Sequence, residues 1–214
     1  MCGILGIFDK KDLDVQHVQA LSKRMRHRGP DEQDFQLNES KTGIITHERL
    51  AIIDLQTGKQ PIKGTNNAYV VHNGEIYNHL QLKETELKDF SFSTKCDSEV
   101  IVKLYEKYGT DFCNLLDGVF GFVVMDGDKY MVARDPIGVK PLYYGQDETG
   151  AFYFSSEMKA IEDQVEKLKA FPPGHFYTKE TGFVKSHQPD WQNDQVCTEK
   201  LDLDKLRETK GLKA

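Results

Sequence analysis

The 214-residue sequence lacks any apolar run of the roughly 18–20 residues that a membrane-spanning helix needs. It also lacks a secretion signal, because the apolar stretch from Ile4 to Phe8 is short and charged residues follow it at once. No run of Lys and Arg is present, and the net charge is −6. Nucleic-acid-binding chains usually carry a basic patch, so we expect neither a membrane nor a nucleic acid as a partner.

Cysteine and histidine are present without the spacings that metal sites use. The four cysteines form no CxxC pair, and the seven histidines form no HExxH pattern. We therefore expect no metal site and no cofactor in this chain. Widely spaced cysteines are typical of reduced thiols in the cytosol, which predicts a cytoplasmic location.

The chain does contain enough apolar sequence for a folded core. Hydrophobic residues make up 38% and charged residues 29%, which is typical of a globular protein rather than a disordered one. The length fits one large domain or two small ones. Apolar patterns and turn residues predict strands over residues 4–8, 35–37, 43–45, 50–53, 68–72, 90–94, 119–125, 130–133, 142–144, 151–154, 175–178 and 183–187.

Helical spacing of apolar residues predicts an amphipathic helix over residues 14–26. A second helix is predicted to begin at Asp97, as its N-cap, and to end at Gly109. Shorter helices are expected from about Asn78, up to Leu116 and up to Ile161. Because most of the strands are arranged as antiparallel hairpins, the predicted fold class is a layered α+β domain.

The dipeptide Asn73-Gly74 follows a predicted strand and is the strongest short signal for a hairpin turn. The segment after it is polar and helix-forming, so it makes a poor second arm. The sequence therefore predicts a strand, a tight turn at these two residues, and then a helix.

Cys2 has a second role open to it besides burial in a core. If Met1 is removed, which the small side chain of Cys2 permits, one residue carries both a thiol and a free α-amino group. Such an amine has a pKa of ~7.7–8.0, so it can accept the thiol proton at neutral pH. Considered alone, a buried thiol is the commoner role of a free cysteine.

Seven segments in a fixed order carry a family resemblance. They are Cys2 to Ile4, Arg26 to Asp31, His47 to Asp54, Asn73 to Asn78, Cys96 to Glu99, Asp117 to Phe122, and Arg134 to Tyr143. Together they strongly resemble the glutaminase domain of glutamine-dependent asparagine synthetases, over about residues 2–190. That domain is a class II glutamine amidotransferase of the N-terminal-nucleophile hydrolase superfamily. The resemblance implies a four-layer αββα fold, with two stacked antiparallel sheets between helices.

The resemblance also implies a reaction, in which L-glutamine is hydrolysed to glutamate and ammonia through a γ-glutamyl thioester on Cys2. Asn73 and Gly74 would form the oxyanion site with a side-chain amide and a backbone N–H, since such donors stabilise developing negative charge. The other substrate contacts that it implies are Arg49 for the α-carboxylate, Glu75 and Asp97 for the α-ammonium group, and Leu50, Ala51, Ile52 and Ile53 as pocket lining.

Several of these residues have a plainer interpretation. Arg49 could be a solvated surface arginine, and Asp97 could serve only as a helix N-cap. Asn73-Gly74 could be only a turn, and residues 50–53 only a buried strand. The presence of a matching residue at each family position favours the enzymatic interpretation.

The resemblance implies that residues 2–190 form the glutaminase domain and that residues 191–214 are a truncated linker. Asparagine synthetases pass ammonia to a second domain, which uses ATP and Mg²⁺ and carries a Ser-Gly-Gly-Leu-Asp-Ser loop; this sequence has no such motif. We expect L-glutamine as substrate, and a synthetase domain or a second copy of the chain as partner. The alternatives are a phosphoribosyl-pyrophosphate or glucosamine-phosphate amidotransferase, or an idle regulatory or docking module.

Overall fold

The computed structural model describes residues 1–51 and 57–187. In this part of the chain the backbone forms two six-stranded sheets, whose neighbouring strands all pair antiparallel. None of the helices in these two ranges has the length and hydrophobicity that a membrane span requires. The described cysteines, Cys2, Cys96 and Cys113, are free thiols.

The strands in chain order are β1 (Gly3–Phe8), β2 (Glu32–Leu37), β3 (Ile44–Arg49), β4 (Ile62–Lys63), β5 (Ala68–Ile76), β6 (Gly118–Asp126), β7 (Lys129–Arg134), β8 (Tyr143–Gln146), β9 (Phe152–Ser155), β10 (Lys169–Ala170), β11 (His175–Thr178) and β12 (Gly182–Lys185). The first sheet has the order β10-β8-β9-β1-β3-β2, and the second has the order β12-β11-β7-β6-β5-β4. β1 therefore lies inside its sheet. β5 has only the two-residue β4 beyond it, which leaves much of its outer edge without a strand partner in the described residues.

Three α-helices occur in the described residues: α1 (Val15–Lys23), α2 (His79–Glu84) and α3 (Glu99–Tyr108). The Asp14 carboxylate accepts the Gln16 N–H and begins α1, which is shorter than the predicted helix over 14–26. α2 confirms the helix predicted from Asn78, and Gly109 ends α3 with a φ of 63°. The two other short helices are 3₁₀ turns, Cys113–Leu115 and Met158–Ala160.

Side-chain alternation along β1 shows how the layers stack. Ile4 and Phe8 face a core that they share with Val71 and Val123 of the second sheet. Leu5 points to the opposite side, where α1 packs. α3 covers the far face of the second sheet. The layers are therefore helix, sheet, sheet and helix, which confirms the αββα arrangement that the resemblance implies.

Aromatic rings fill the core between the two sheets. Phe8 of the first sheet and Tyr130 of the second stack with their ring centroids 3.9 Å apart. Phe154 packs against both rings, with centroid distances of 6.4 and 6.1 Å. Aromatic pairs of this kind add about 0.5–1.5 kcal/mol beyond the area they bury, so the rings help to fix the separation of the sheets.

The turn predicted at Asn73-Gly74 is wrong, because β5 runs straight through both residues. Asn73 pairs with Gly121 and Gly74 pairs with Phe120 in the ladder between β5 and β6. A Cβ on Gly74 would overlap the Val119 carbonyl oxygen. This glycine therefore permits a close approach of two strands, and its backbone freedom is not used for a turn.

Two further predictions around Asp97 are also wrong. Residues 90–94 form no strand, because the backbone N–H groups of Ser93 and Thr94 donate to the Glu99 carboxylate instead of to a partner strand. Ser98 occupies the N-cap position of α3, while the Asp97 carboxylate accepts the Ile76 N–H of β5. Asp97 therefore ties the helix to the sheet and does not cap the helix.

The strand predicted over residues 50–53 is wrong in its described part. β3 ends at Arg49, and Leu50 and Ala51 are not in a strand. Ile52 and Ile53 lie outside the described residues, as does the predicted linker over 191–214.

Candidate active site

Cys2 immediately precedes β1 and lies an even number of positions from Ile4 and Phe8, so it shares their face of the strand. Those two side chains point into the space between the sheets, so the thiol is aimed at the same space where the strand begins. The Leu50 N–H donates to Cys2 Sγ over 3.4 Å, and the Arg28 guanidinium donates to the Cys2 carbonyl oxygen over 2.9 Å. These two hydrogen bonds fix the thiol and the backbone of Cys2 at the start of β1.

Two other strands send alternate side chains into the same space. Val71 of β5 faces the inner core, so Asn73, two residues later, has the same orientation. Ile45 of β3 faces it too, which places His47 and Arg49 on that side. Strand periodicity therefore brings residues from both sheets together at one end of the core.

One pocket contains seven of the eight predicted site residues that the structure describes. Its lining includes the predicted residues Cys2, Arg49, Leu50, Asn73, Gly74, Glu75 and Asp97, together with His47, Gln60, His72, Cys96, Ser98 and Lys140. Ala51 is not part of the lining, and its N–H donates to the Asp31 carboxylate over 2.7 Å. The predicted contacts of Ile52 and Ile53 fall outside the described residues.

The Cys2 thiol is mostly protonated at neutral pH. Burial raises its pKa, and the Leu50 N–H, the positive chain terminus, Arg49 and Arg28 offset that increase only in part. A thiol with a raised pKa needs a base to remove its proton during attack. The arrangement therefore calls for a base close to Cys2.

The side-chain amide of Asn73 is a buried donor in the pocket wall. No hydrogen bond to its Nδ2 atom is formed within the described residues, and the residue is only 1% exposed. Leaving a buried amide unpaired costs about 1–3 kcal/mol, so such a group in a pocket wall is a candidate for binding a ligand oxygen.

The backbone N–H of Gly74 points to the open edge of β5. Its ladder partner, Phe120, directs both of its own backbone groups to Asp135: the Phe120 N–H donates to a carboxylate oxygen, and the Phe120 carbonyl accepts the Asp135 N–H. In an antiparallel strand the N–H and C=O of one residue face the same side, so Gly74 and Phe120 form a non-hydrogen-bonded pair. The Gly74 N–H must then face away from β6, towards the pocket.

Arg49 is 4% exposed, and its guanidinium forms a 2.7 Å ion pair with Glu32. Lys59 contacts the same carboxylate at 3.0 Å. These two hydrogen bonds lower the pKa of Glu32, so the carboxylate stays ionised. Glu32 therefore holds the guanidinium beside the pocket, and Arg49 is buried rather than solvated.

Asp97 and Glu75 supply negative charge to the same pocket. Asp97 is 4% exposed; one of its oxygens accepts the Ile76 N–H, and the other lies 3.4 Å from the Cys96 thiol. Glu75 is exposed and lies at the rim. Burial raises the pKa of Cys96 to about 11, so this thiol is neutral and adds no competing charge.

Sequence reasoning missed two buried histidines in the pocket wall. Burial lowers the pKa of His47 to about 3 and that of His72 to about 4, so both imidazoles are neutral at pH 7. Neither ring nitrogen of His47 has a hydrogen bond of normal geometry in the described residues, although the His72 carbonyl opposes part of its pKa decrease. The strand period would have pointed to His47, which lies two residues before Arg49.

Gln60 and Ser98 were missed as well, and no sequence signal identifies them, because their contacts depend on how β4 and α3 meet β5. Among residues 1–51 and 57–187, no group of three or more His, Cys, Asp or Glu side chains is arranged to hold a metal ion.

Comparison with known proteins identifies the family to which this site belongs. The model of the glutamine amidotransferase domain matches residues 1–185. Asparagine synthetase [glutamine-hydrolyzing] 1 of Arabidopsis thaliana is 45% identical over 204 residues, which cover 92% of this chain and 34% of that protein. A probable asparagine synthetase [glutamine-hydrolyzing] of Dictyostelium discoideum is 44% identical over 89% of this chain and 36% of its own length. The chain thus spans about a third of these relatives.

Solved structures support the fold. An allosteric regulatory enzyme of purine biosynthesis superposes with a TM-score of 0.72 at 21% identity, covering 88% of this chain and 50% of that one. Glutamine phosphoribosylpyrophosphate amidotransferase from B. subtilis gives a TM-score of 0.70 at 23% identity, with coverages of 86% and 48%. The two-sheet arrangement, the family match over residues 1–185 and the pocket around Cys2 agree. This chain belongs to the glutamine amidotransferase domain family.

Proposed function

We propose that this chain, once Met1 is removed, hydrolyses the side-chain amide of L-glutamine to give L-glutamate and ammonia. One observation carries the proposal. One pocket is lined by the Cys2 thiol, the Asn73 amide that has no hydrogen-bond partner in the described residues, the Gly74 backbone, the Arg49 guanidinium and the Asp97 carboxylate. Hydrolysis of an amide that ends an amino acid needs each of these groups.

In the first step the free α-amine of Cys2 accepts the thiol proton as Sγ attacks the glutamine carbonyl carbon. The carbonyl π electrons move to oxygen, and the Asn73 amide and the Gly74 N–H stabilise the resulting oxyanion. When the oxyanion collapses, the C–N bond breaks and the α-ammonium group protonates the departing nitrogen. Ammonia leaves, and a γ-glutamyl thioester remains on Cys2.

In the second step water attacks the thioester carbon, and the same α-amine accepts the water proton. The oxyanion forms again at the same two donors and collapses with loss of the Cys2 thiolate, which recovers its proton from the α-ammonium group. Glutamate is released and the starting state is restored. The same amine thus acts as the base in both half-reactions, so the pocket requires no second base.

Recognition of the amino-acid end of glutamine follows from the charges around the pocket. The Arg49 guanidinium, which Glu32 holds beside the pocket, would bind the α-carboxylate through charge-assisted hydrogen bonds. Asp97 and Glu75 would bind the α-ammonium group, and Leu50 lines the pocket between these groups and Cys2. Ala51, Ile52 and Ile53 stay proposed contacts of the same kind.

Arg49→Ala is expected to raise KM for glutamine by about 10–100-fold with a smaller change in kcat, because a charge-assisted hydrogen bond contributes about 1.5–3 kcal/mol. Arg49→Lys should fall in between, since it keeps the charge but loses the two-pronged geometry. Lys59→Ala is the matched control, because Lys59 contacts the same Glu32 carboxylate without lining the pocket. Steady-state kinetics measure all three, and an unchanged KM in Arg49→Ala would refute the carboxylate assignment.

The wider role follows from the relatives. We propose that residues 2–190 act as the glutaminase domain, with residues 191–214 as a linker, and that a synthetase domain consumes the ammonia. That domain would use ATP and Mg²⁺ to convert aspartate to asparagine. A second copy of the chain is the other proposed partner. The free thiols of the described cysteines support a cytoplasmic location.

Glutamate release from glutamine tests the proposal directly. The chain is purified, loss of Met1 is checked by mass spectrometry, and glutamate and ammonia are measured over time. We expect the two products in equal amounts, because each turnover releases one of each. A processed, folded chain that releases neither product would support the alternative of an idle regulatory or docking module.

A further inference from the structure

Alternate residues of β5 present their backbone N–H groups at the open edge of the second sheet. The His72 N–H donates to Gln60 Oε1 over 2.6 Å, and the Ile76 N–H donates to Asp97 Oδ2 over 2.8 Å. The Gly74 N–H lies midway between them and faces the pocket. Two side chains thus take the place of a neighbouring strand on either side of the one backbone N–H that the proposed reaction uses.

Gln60 belongs to a closed triangle of hydrogen bonds. A backbone N–H can only donate, so Gln60 must present Oε1 to His72 and its Nε2 to the Ser98 hydroxyl, 3.3 Å away. His72 Nδ1 lies 2.8 Å from Ser98 Oγ, and this hydrogen bond closes the triangle.

The triangle lies directly against the part of β5 that contains Gly74. A Cβ added to Gly74 would lie 2.6 Å from His72 Nε2, so the imidazole ring covers the Gly74 backbone. The three side chains of the triangle are buried, with exposures of 7% for Gln60 and 2% for His72 and Ser98. A buried, mutually bonded group of this kind has few alternative positions, so it restricts the strand beneath it.

We propose that Gln60, Ser98 and His72 are positioning residues that hold the Gly74 N–H in the orientation that the oxyanion requires. The inference rests on the glutaminase function proposed above. Gln60 anchors the strand at His72, and the ring of His72 prevents the peptide plane that carries the Gly74 N–H from turning. The ground-state contacts of glutamine come from Arg49 and Asp97, so loss of the triangle affects the transition state selectively.

Gln60→Met is the principal test, because methionine has a similar length but cannot accept the His72 N–H. We expect kcat to fall by about 10–100-fold, while KM stays within about twofold, since a misplaced donor weakens only transition-state binding. Ser98→Ala opens the triangle at another corner and should shift kcat in the same direction. Gln36→Met is the matched control: its amide bonds the Leu37 carbonyl on β2, outside the pocket, and kcat should be unchanged.

A second readout separates positioning from general damage. L-glutamate γ-semialdehyde, in the open-chain form that is in equilibrium with its cyclic imine, undergoes addition of the Cys2 thiol: the S–C bond forms, the aldehyde π bond opens, and the thiol proton ends on the new hydroxyl oxygen. That oxygen occupies the oxyanion position, whereas the product L-glutamate forms no tetrahedral centre. Calorimetry should show that Gln60→Met weakens aldehyde binding by about 10–100-fold, in parallel with kcat, and leaves the Kd of glutamate within about twofold.

The possible outcomes separate the two proposals. A wild-type chain that neither turns over glutamine nor binds the aldehyde refutes the proposed function and this inference with it. An active wild type with an unchanged kcat in Gln60→Met and Ser98→Ala overturns the inference alone. Equal weakening of aldehyde and glutamate binding also overturns it, because the triangle would then support the whole pocket. If Gln60→Met does not fold, the same comparison is made with Ser98→Ala.

Discussion

Cys2→Ala is expected to reduce glutamate release by about 10⁴-fold or more. Removal of the nucleophile in a covalent mechanism leaves only the contributions of substrate binding and oxyanion stabilisation. Alanine is small enough for Met1 still to be removed, so the α-amine is retained and only the sulfur is lost. The measurement is the initial rate of glutamate production with excess glutamine, compared with the rate without protein.

Cys113→Ala is the matched control for this substitution. Cys113 is a second buried free thiol, but it packs in the apolar layer between the second sheet and α3. Its removal should leave the rate near that of the wild type. Comparable rates in Cys2→Ala and the wild type would show that the thiol of Cys2 is not the nucleophile.

A residue placed before Cys2 is expected to lower the rate by about 10²–10⁴-fold, the contribution of a positioned general base. The Cys2 thiol has a raised pKa, so it depends on a nearby proton acceptor, and an amide nitrogen in place of the α-amine cannot serve. Met1 adds a steric effect, because it lines the pocket and its sulfur accepts a hydrogen bond from Lys140 over 3.5 Å.

Two cleavable N-terminal tags separate the chemical effect from the steric one. One tag is cut to leave Cys2 as the first residue, and the other is cut to leave a single Gly before it. Gly adds no side chain to the pocket, so a low rate in that product isolates the loss of the amine. If the Gly-extended chain works as fast as the chain that begins at Cys2, the base is some other group.

Local signals in the sequence predict much of the fold, because many turns depend only on neighbouring residues. The turn at Asp126 to Asp128 joins β6 and β7 as predicted, and Gly127 has the positive φ of 55° that such a turn uses. Asn73-Gly74 carries an equally strong signal and lies within a strand. The two sites differ because β6 lies close to Gly74, and this long-range contact cannot be predicted from the two residues alone.

Prediction of the site divides in the same way. The resemblance supplied Cys2, Arg49 and Asp97, and the structure brings all three to one pocket. The roles of Gln60 and Ser98 depend on the register between β4 and β5 and on the placement of α3, which are tertiary facts. Side chains that accept hydrogen bonds from the open edge of a strand can be identified only when the position of that edge is known.

The proposed nucleophile and the proposed oxyanion donors belong to different sheets. Cys2 extends from β1 of the first sheet, and Asn73 and Gly74 belong to β5 of the second. The core between the two sheets, in which Phe8 and Tyr130 stack, helps to fix the separation of these sheets. In the proposed reaction this core would control how closely the Cys2 thiol approaches the substrate carbonyl. A substitution deep within the core is therefore expected to change the rate of the proposed chemical step while every proposed glutamine contact stays the same.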